Sequence, residues 1–372
     1  MSQENYTVQR LDFKRDGQTI AGELYLPKEL HDLALVILSH GFGANWSKTK
    51  PYAQYLANHG LAAYVFDFIG GGLNIQSDGQ TTDMSVLTEA ADLDMVLQGF
   101  ETDSRFESIF LLGESQGGFV STYVASNHPK EIAGLILLYP AFVLQDDAKK
   151  RNPNLDDLPE VQDVMGVPIG KRYTLDAISF DIYEKMKQYP GPVLIVHGTA
   201  DPIVPLSYAQ RAAQVFPRAH LETIPQAGHG FSGKDLDQAA KWSLGFIDKI
   251  LEFNQESLHL AIDDTEVEVE WAVNSSTQAL KALVNKGPLT IHTSKYGGFE
   301  QVGAIGTVLP SQDKSITTHP GDIMLYNNDQ IVFFYGSNTW SYTPLGTITE
   351  PSGVKLSQLL DRKEATITLF LR

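Results

Sequence analysis

The sequence predicts an α/β protein: a doubly wound sheet over the first two thirds of the chain, then a β-rich domain. Up to about residue 255, short apolar runs alternate with helical patterns, which is typical of a parallel sheet with helices between its strands. Beyond Leu258, apolar and polar residues alternate as in half-buried strands. The length, 372 residues, exceeds that of most single domains. We therefore expect two domains, residues 1–255 and 256–372.

The first domain contains several apolar runs of strand length. Residues 33–39 form one such continuous run, as expected of a strand buried on both faces of a sheet. The same kind of pattern predicts further strands at 19–26, 62–67, 108–112, 135–139 and 193–197, and helices at 50–59, 84–100, 117–126 and 236–253.

The alternation breaks between residues 142 and 190. This stretch is polar, carries Pro153, Pro159 and Pro168, and shows no clear strand. Because it lies between two predicted sheet strands, we expect an insertion at the sheet edge. Long insertions of this kind often serve as lids or binding loops, and a surface excursion without a function is the alternative.

The last third has the features of a small β-barrel or sandwich. Its first two strands alternate apolar residues at 258, 260 and 262 and then at 267, 269 and 271, with a turn at Asp263 and Asp264 between them. One helix is predicted at 277–285, capped by Ser275 or Ser276. Further strands are predicted at 289–292, 323–326, 331–335 and 366–371, with a hairpin turn at 327–329.

Composition excludes several classes of function. The formal net charge of −17 disfavours nucleic acid and anionic membrane surfaces as partners. The chain has no cysteine, which excludes disulfides, thiolate metal sites and cysteine nucleophiles. The first fifteen residues lack the apolar stretch of a signal peptide, and no apolar run is long enough to span a bilayer. We expect a cytoplasmic protein, and the sequence leaves a homo-oligomer open.

A nucleophile motif stands at the end of one predicted strand. Residues 113–117 read Gly-Glu-Ser-Gln-Gly, the G-x-S-x-G pattern in which a serine occupies a strained turn between a strand and a helix. The glycines let neighbouring backbone pass without a Cβ clash. A buried strand precedes the motif and a helix follows it, which is the context that the pattern requires. We predict Ser115 as the nucleophile.

A serine hydroxyl needs a base, and the base needs an orienting carboxylate. In proteins with this motif the acid and then the histidine follow the serine along the chain. His229 lies in a glycine-rich loop after an apolar strand, and Asp201 follows the strand at 193–197 by a short glycine turn. Both should reach the same carboxyl edge of the sheet as Ser115. The candidates His128, His197 and His220 are interpreted as structural.

The oxyanion hole needs two backbone N–H groups aimed at the developing charge. We expect one from Gln116, directly after the nucleophile, and one from Phe42, in the His-Gly-Phe-Gly loop that follows the strand at 33–39. That loop lacks the lysine and the serine or threonine of a phosphate-binding P-loop. No metal-ligand spacing occurs, and no cofactor motif is evident.

Together these motifs resemble the bacterial cinnamoyl (feruloyl) esterases of the α/β-hydrolase fold, over residues 6–253. The resemblance implies a doubly wound sheet with an inserted lid at 142–190 and small-molecule ester substrates. It also implies that an aspartate and a tyrosine of the insertion hold the phenolic hydroxyl of a hydroxycinnamate. By position these would be Asp147, or its neighbour Asp146, and Tyr173.

Residues 258–372 resemble the cyclophilin-like β-barrel domain of bacterial proteins. The resemblance rests on the segments 296–300, 320–326 and 334–336. Cyclophilins carry a catalytic arginine in a Phe-His-Arg setting, whereas this region has only Arg362 and Arg372 and no such tripeptide. A binding or structural role is therefore expected rather than prolyl isomerase activity.

These observations favour ester hydrolysis through an acyl-enzyme on Ser115, with hydroxycinnamoyl esters as substrates. A thioesterase or peptidase with the same three residues is an alternative within the hydrolases. A binding protein on a hydrolase scaffold and an isomerase seated in the C-terminal domain are alternatives from other classes. The intact triad and oxyanion residues argue against the first of these, and the missing arginine argues against the second.

Overall fold

The computed structural model describes residues 5–28, 33–349 and 355–372. The chain divides into two compact units, one up to Ile250 and one from Leu251 onward. The division falls within a long helix, Lys234–Gln255.

An eight-stranded sheet forms the centre of the first unit, in the strand order β1-β4-β6-β5-β7-β8-β11-β12. Of the seven pairs of neighbouring strands in this order, the first two are antiparallel and the remaining five are parallel. Two short hairpins, β2–β3 and β9–β10, lie outside this sheet. The strands are β1 (Tyr6–Arg10), β2 (Phe13–Arg15), β3 (Gln18–Ile20), β4 (Gly22–Pro27), β5 (Leu33–Ser39), β6 (Ala62–Phe66), β7 (Phe106–Glu114), β8 (Ile132–Leu138), β9 (Val161–Val164), β10 (Val167–Gly170), β11 (Val193–Gly198) and β12 (Ala219–Ile224).

Helices connect the parallel strands, as the sequence predicts. The continuous apolar run of β5 is buried at every position, which explains why it shows no polar alternation. The helices of this unit are α1 (Lys50–Asn58), α2 (Val86–Glu101), α3 (Gln116–Asn127), α4 (Leu144–Arg151), α5 (Lys171–Ile178), α6 (Ile182–Met186), α7 (Leu206–Val215) and α8 (Lys234–Gln255).

After β5, the chain adds β6 on one side of this strand and then β7 on its other side. The order in which strands are added to the sheet therefore reverses at β5. The loops after β5 and β7 therefore leave the sheet side by side at its carboxyl edge. Such a switch point is where open α/β sheets bind their ligands. The predicted α/β-hydrolase fold is confirmed for this unit.

The insertion between β8 and β11 is more ordered than the sequence indicates. It contains α4, a short 3-10 helix at Leu155–Asp157, the hairpin β9–β10, and then α5 and α6. The expectation of no clear strand is wrong for the hairpin. Each of its strands has only four residues, and its turn residues Met165 and Gly166 both have positive φ, at 53° and 83°. A methionine there gives none of the usual sequence signals of a tight hairpin turn.

Two glycines offer a matched test of backbone packing. A Cβ on Gly113, at the end of β7, would lie 2.3 Å from the carbonyl oxygen of Gly117, whereas a Cβ on Gly245, within α8, would meet no atom within 4 Å. We expect Gly113→Ala to lower the free energy of unfolding by about 1–3 kcal/mol through overpacking. Gly245→Ala should raise it by up to about 1 kcal/mol, since alanine favours helix. Denaturant unfolding of both variants measures the difference, and equal stabilities would contradict the close backbone packing at Gly113.

The second unit is a closed antiparallel barrel of eight strands. The ring runs β14-β13-β21-β15-β16-β19-β18-β20 and closes where β20 pairs with β14, while β17 adds to the outer edge of β20. Its strands are β13 (Leu258–Ile262), β14 (Thr265–Trp271), β15 (Leu289–Tyr296), β16 (Glu300–Ala304), β17 (Lys314–Thr317), β18 (Asp322–Tyr326), β19 (Gln330–Phe334), β20 (Thr339–Thr349) and β21 (Glu364–Leu371), with helices α9 (Ser275–Val284) and α10 (Leu356–Leu360).

Alternating side chains fill the barrel. Leu258, Leu260 and Ile262 are buried in its core, as their spacing predicts. On β14, by contrast, the glutamates at 266, 268 and 270 alternate outward and are exposed. The predicted cap of the barrel helix is wrong: α9 is capped by Asn274, whose Oδ1 accepts a 2.9 Å hydrogen bond from the N–H of Thr277. The helix thus begins at Ser275 itself.

None of the helices in the described ranges is both long and apolar enough to cross a membrane.

Candidate active site

Ser115 occupies a strained turn between β7 and α3. Its backbone has φ 50° and ψ −116°, a conformation that residues with a Cβ rarely adopt. Both sides of the turn are tied to the end of β8: the N–H of Ser115 donates to Leu138 O, and the N–H of Ala141 donates to Ser115 O, each at 2.9 Å. The turn is possible because glycine at 117 leaves room for the carbonyls of residues 39 and 40.

The structure brings Ser115, His229 and Asp201 into one hydrogen-bonded chain. His229 Nε2 lies 2.9 Å from Ser115 Oγ, and His229 Nδ1 lies 2.8 Å from Asp201 Oδ2. The histidine follows β12 and the aspartate follows β11, so the carboxyl ends of three parallel strands supply the three side chains. This geometry allows the imidazole to take the hydroxyl proton while the carboxylate fixes its tautomer.

Asp201 is held by more than the histidine. Its carboxylate is fully buried, and Oδ1 accepts hydrogen bonds from the N–H groups of Ile203 (2.8 Å) and Val204 (2.9 Å). His197 also approaches: its Nε2 lies 2.9 Å from Val204 O and 3.4 Å from Asp201 Oδ2. Burial lowers the pKa of His197, which favours its neutral form beside the carboxylate.

The other two histidines interpreted as structural pair with nearby carboxylates. His128 Nε2 lies 3.2 Å from Asp94, and His220 Nε2 lies 2.9 Å from Glu222. Across the described parts of the chain, His, Asp and Glu side chains do not form a group of three or more that could hold a metal ion.

The residues predicted for the oxyanion hole flank the serine. Gln116 is the first residue of α3, so its N–H has no acceptor within the helix. Phe42 lies in the loop after β5, which turns through a 3.2 Å hydrogen bond from the N–H of Ala44 to Gly41 O. A Cβ on Gly41 would lie 3.1 Å from Ser115 Cβ, so this loop runs directly past the nucleophile.

The two residues that the resemblance implies for substrate binding differ in their surroundings. Asp147 is half-buried in the first turn of α4. Tyr173 on α5 is only 3% exposed, and its hydroxyl donates to Gln116 Oε1. Asp146, the alternative to Asp147, accepts a 2.7 Å hydrogen bond from the hydroxyl of Tyr208.

A buried carboxyl–phenol pair beside the nucleophile was not predicted from the sequence. The Tyr139 hydroxyl donates a 2.5 Å hydrogen bond to Glu114 Oε1, and the Tyr139 ring packs edge-on against the imidazole of His229 with centroids 4.9 Å apart. Tyr139 has φ 38°, which is rare for an aromatic residue. Burial raises the pKa of Glu114 to about 7, so this carboxyl changes charge near neutral pH. Only its place within the motif could have drawn attention to it.

Family models match three parts of the chain. The model described as serine aminopeptidase, S33, matches residues 31–172, and that of the TAP-like proteins matches residues 179–242. The model of the cyclophilin-like family matches residues 260–370. The first two cover the strands that carry the serine, the aspartate and the histidine, and the third covers the closed barrel. The chain thus joins a unit of the α/β-hydrolase fold to a C-terminal barrel that is similar to the cyclophilin-like family.

Curated relatives match about a third of the chain. Monoglyceride lipase of Rattus norvegicus is 29% identical over 136 residues, which is 36% of this chain and 43% of the lipase. Protein phosphatase methylesterase 1 of Candida albicans (strain SC5314) is 30% identical over 106 residues, or 28% of each chain. The chain thus spans less than half the length of these two relatives.

A solved structure matches a larger share of the chain. Est1E of Butyrivibrio proteoclasticus, with ferulic acid bound, superposes with a TM-score of 0.61 at 23% identity. The match covers 65% of this chain and 99% of Est1E. At this level of identity the likeness concerns the fold.

Proposed function

We propose that this chain is a serine esterase whose α/β-hydrolase unit, residues 1–255, cleaves carboxylic esters through an acyl-enzyme on Ser115. The observation that carries the proposal is the hydrogen-bonded chain from Ser115 through His229 to Asp201, seated on a strained turn at the carboxyl edge of the sheet.

The geometry supports a two-step reaction. Ser115 Oγ attacks the ester carbonyl carbon while His229 Nε2 takes the hydroxyl proton. The N–H groups of Phe42 and Gln116 hold the oxyanion of the tetrahedral intermediate. When the intermediate collapses, the C–O bond breaks and His229 returns the proton to the leaving alcohol. Water then repeats the attack, with His229 again as the base, and releases the acid and the free serine.

For the substrate, we propose hydroxycinnamoyl esters of the feruloyl type. The likeness in fold to a ferulic-acid-binding protein and the half-buried Asp147 in the insertion support this class. Asp146 is already bonded to Tyr208, which favours Asp147 as the carboxylate for a substrate phenol. Tyr173 donates its own proton to Gln116 and therefore has only lone pairs to offer the same phenol.

A substrate panel tests the proposal. We expect hydrolysis of methyl ferulate and of 4-nitrophenyl acetate by the full chain, with a higher kcat/KM for ferulate. Asp147→Asn should reduce the preference for ferulate over methyl cinnamate, which lacks the phenolic hydroxyl, because a carboxylate binds that hydroxyl more strongly than an amide does. The matched control is Asp146→Asn, which changes the neighbouring carboxylate.

Other results would redirect the proposal. Cleavage of acetate without ferulate would leave the serine esterase standing and remove the feruloyl class. Turnover of an acyl-CoA or an aminoacyl 4-nitroanilide instead of any ester would favour the thioesterase or peptidase alternative.

For residues 256–372 we propose a binding or structural module. Both arginines of this region are engaged in ion pairs, Arg362 with Asp263 at 2.7 Å and Arg372 with Glu266 at 3.3 Å. Both side chains lie exposed at the surface of the barrel rather than in a Phe-His-Arg setting, which supports the expectation that the barrel does not isomerise proline.

A further inference from the structure

Tyr173 contacts both residues to which we assign the oxyanion hole. Its hydroxyl donates a hydrogen bond to the side-chain Oε1 of Gln116, and its ring packs on the ring of Phe42 with centroids 5.4 Å apart. Tyr173 belongs to the insertion and is buried, whereas Gln116 begins α3 and Phe42 lies in the loop after β5. One side chain of the insertion therefore contacts both segments.

The side chain of Gln116 is bound at both ends. While Oε1 accepts from Tyr173, Nε2 donates a 2.8 Å hydrogen bond to Glu89 Oε2 on α2. Gln116 and Glu89 are each 1% exposed, so water does not replace either bond when it breaks. The two bonds fix the orientation of the side-chain amide of Gln116. They thereby restrain the residue whose backbone N–H would face the oxyanion.

The loop that carries Phe42 needs an external restraint. It has glycine on both sides of Phe42, and Gly43 has φ 65°, so its backbone is intrinsically permissive. The insertion supplies two contacts to it. The ring of Tyr173 packs on Phe42, and a Cβ on Gly43 would lie 2.8 Å from Val167 Cγ2 on β10. The loop backbone is also held by the N–H of Leu73, which donates to Gly43 O at 3.1 Å. The insertion thus adds side-chain contacts to those that set the position of the Phe42 N–H.

We propose that Tyr173 is a positioning residue, through which the insertion holds the two oxyanion donors, Phe42 and Gln116, in their productive geometry. This rests on the proposed function. The role is independent of the substrate, because the Tyr173 hydroxyl acts on Gln116 whether or not a phenol is bound. An oxyanion donor works only when it is already aimed at the developing charge, so a small displacement lowers kcat more than substrate binding.

The test is Tyr173→Phe, which keeps the ring against Phe42 and removes only the hydrogen bond to Gln116. We expect kcat to fall about tenfold on both 4-nitrophenyl acetate and methyl ferulate, less than the loss of a whole donor. KM for the acetate, which has no phenolic hydroxyl, should change less than about twofold, whereas loss of the phenol contact should raise KM for ferulate alone. The matched control is Tyr183→Phe, a buried tyrosine of the same insertion whose hydroxyl points to Tyr208 O at 3.5 Å. Its kcat should stay unchanged.

A second pair of variants changes Glu89, which accepts the other hydrogen bond of the Gln116 side-chain amide. This pair keeps the proposal testable if Tyr173→Phe does not fold. Glu89→Gln keeps an acceptor oxygen for Gln116 Nε2 and should retain most of kcat. Glu89→Ala removes the acceptor and should reproduce the loss seen for Tyr173→Phe, on both substrates. Thermal unfolding of each variant shows whether the fold is intact.

The outcomes separate this inference from the proposed function. If Tyr173→Phe raised KM for ferulate alone and left acetate untouched, the hydroxyl would be a substrate contact and the positioning role would be wrong. Unchanged kinetics on both substrates would overturn it as well. If the wild-type chain cleaved no ester, the proposed function itself would fail, whatever the variants did.

Discussion

Ser115→Ala should lower kcat for ester hydrolysis by several orders of magnitude while the protein stays folded. The Oγ atom is the only group removed, and its hydrogen bond to His229 Nε2 is the one through which the base would act. The serine side chain makes no capping hydrogen bond to α3, so its loss should cost the helix little. Steady-state kinetics and a thermal unfolding curve on the same sample measure both effects.

The matched control lies on the same helix. Ser121 is fully buried, and its Oγ has no hydrogen-bond partner among the described residues. Ser121→Ala should therefore leave kcat unchanged and should not destabilise the protein, since an unpaired buried hydroxyl is unfavourable. Near-wild-type hydrolysis by Ser115→Ala would show that another residue is the nucleophile.

Asp201→Asn should reduce kcat by about 10³- to 10⁴-fold through a change of tautomer. Two backbone N–H groups point at Oδ1, so the amide oxygen of an asparagine would take that position. The NH₂ group would then face His229 Nδ1 as a donor. The imidazole would have to carry its proton on Nε2, opposite Ser115 Oγ, where it cannot accept the hydroxyl proton.

Asp181→Asn provides the control for this substitution. Asp181 caps α6 by accepting a 2.8 Å hydrogen bond from the N–H of Tyr183, and asparagine caps helices equally well. Activity and stability should both be retained. If Asp201→Asn kept more than about a tenth of wild-type kcat, the carboxylate would not be orienting the base.

The sequence predicted the sheet and its edge well for a physical reason. Strands buried on both faces must be apolar throughout, so β5 and β11 are recognisable without any alignment. The loops that follow such strands meet at one edge, so Ser115 and Asp201 could be placed together from chain order alone.

Contacts between segments that are distant in the chain could not be predicted from the sequence. Tyr173 could be assigned by resemblance to substrate, but its hydrogen bond to Gln116 depends on how the insertion packs against α3. The pair formed by Glu114 and Tyr139 likewise requires two strands and a positive φ at an aromatic residue, which no local preference indicates.

Three strands of the second unit, β16, β17 and β20, were not predicted, and for two of them the structure gives the reason. In β20, Pro344 lies where the register against β18 shifts, a place at which the missing N–H is tolerated. In β16, a polar residue faces the interior: Gln301 is fully buried, and its amide donates to the carbonyls of Leu360 and Arg362. A buried polar side chain of this kind can be explained only when its hydrogen-bond partners are known.

The outward glutamates of β14 have a consequence for how the barrel assembles. Closure requires β14 to pair with β20, where Glu268 lies opposite Thr349, although the two strands are far apart in the chain. Until β20 arrives, β14 is an open edge that could pair with a strand of another molecule. Carboxylates at 266, 268 and 270 repel the same strand of a second copy. Glutamates that stand on the surface of the finished barrel, Glu266 paired with Arg372, would thus also oppose aggregation of the folding chain.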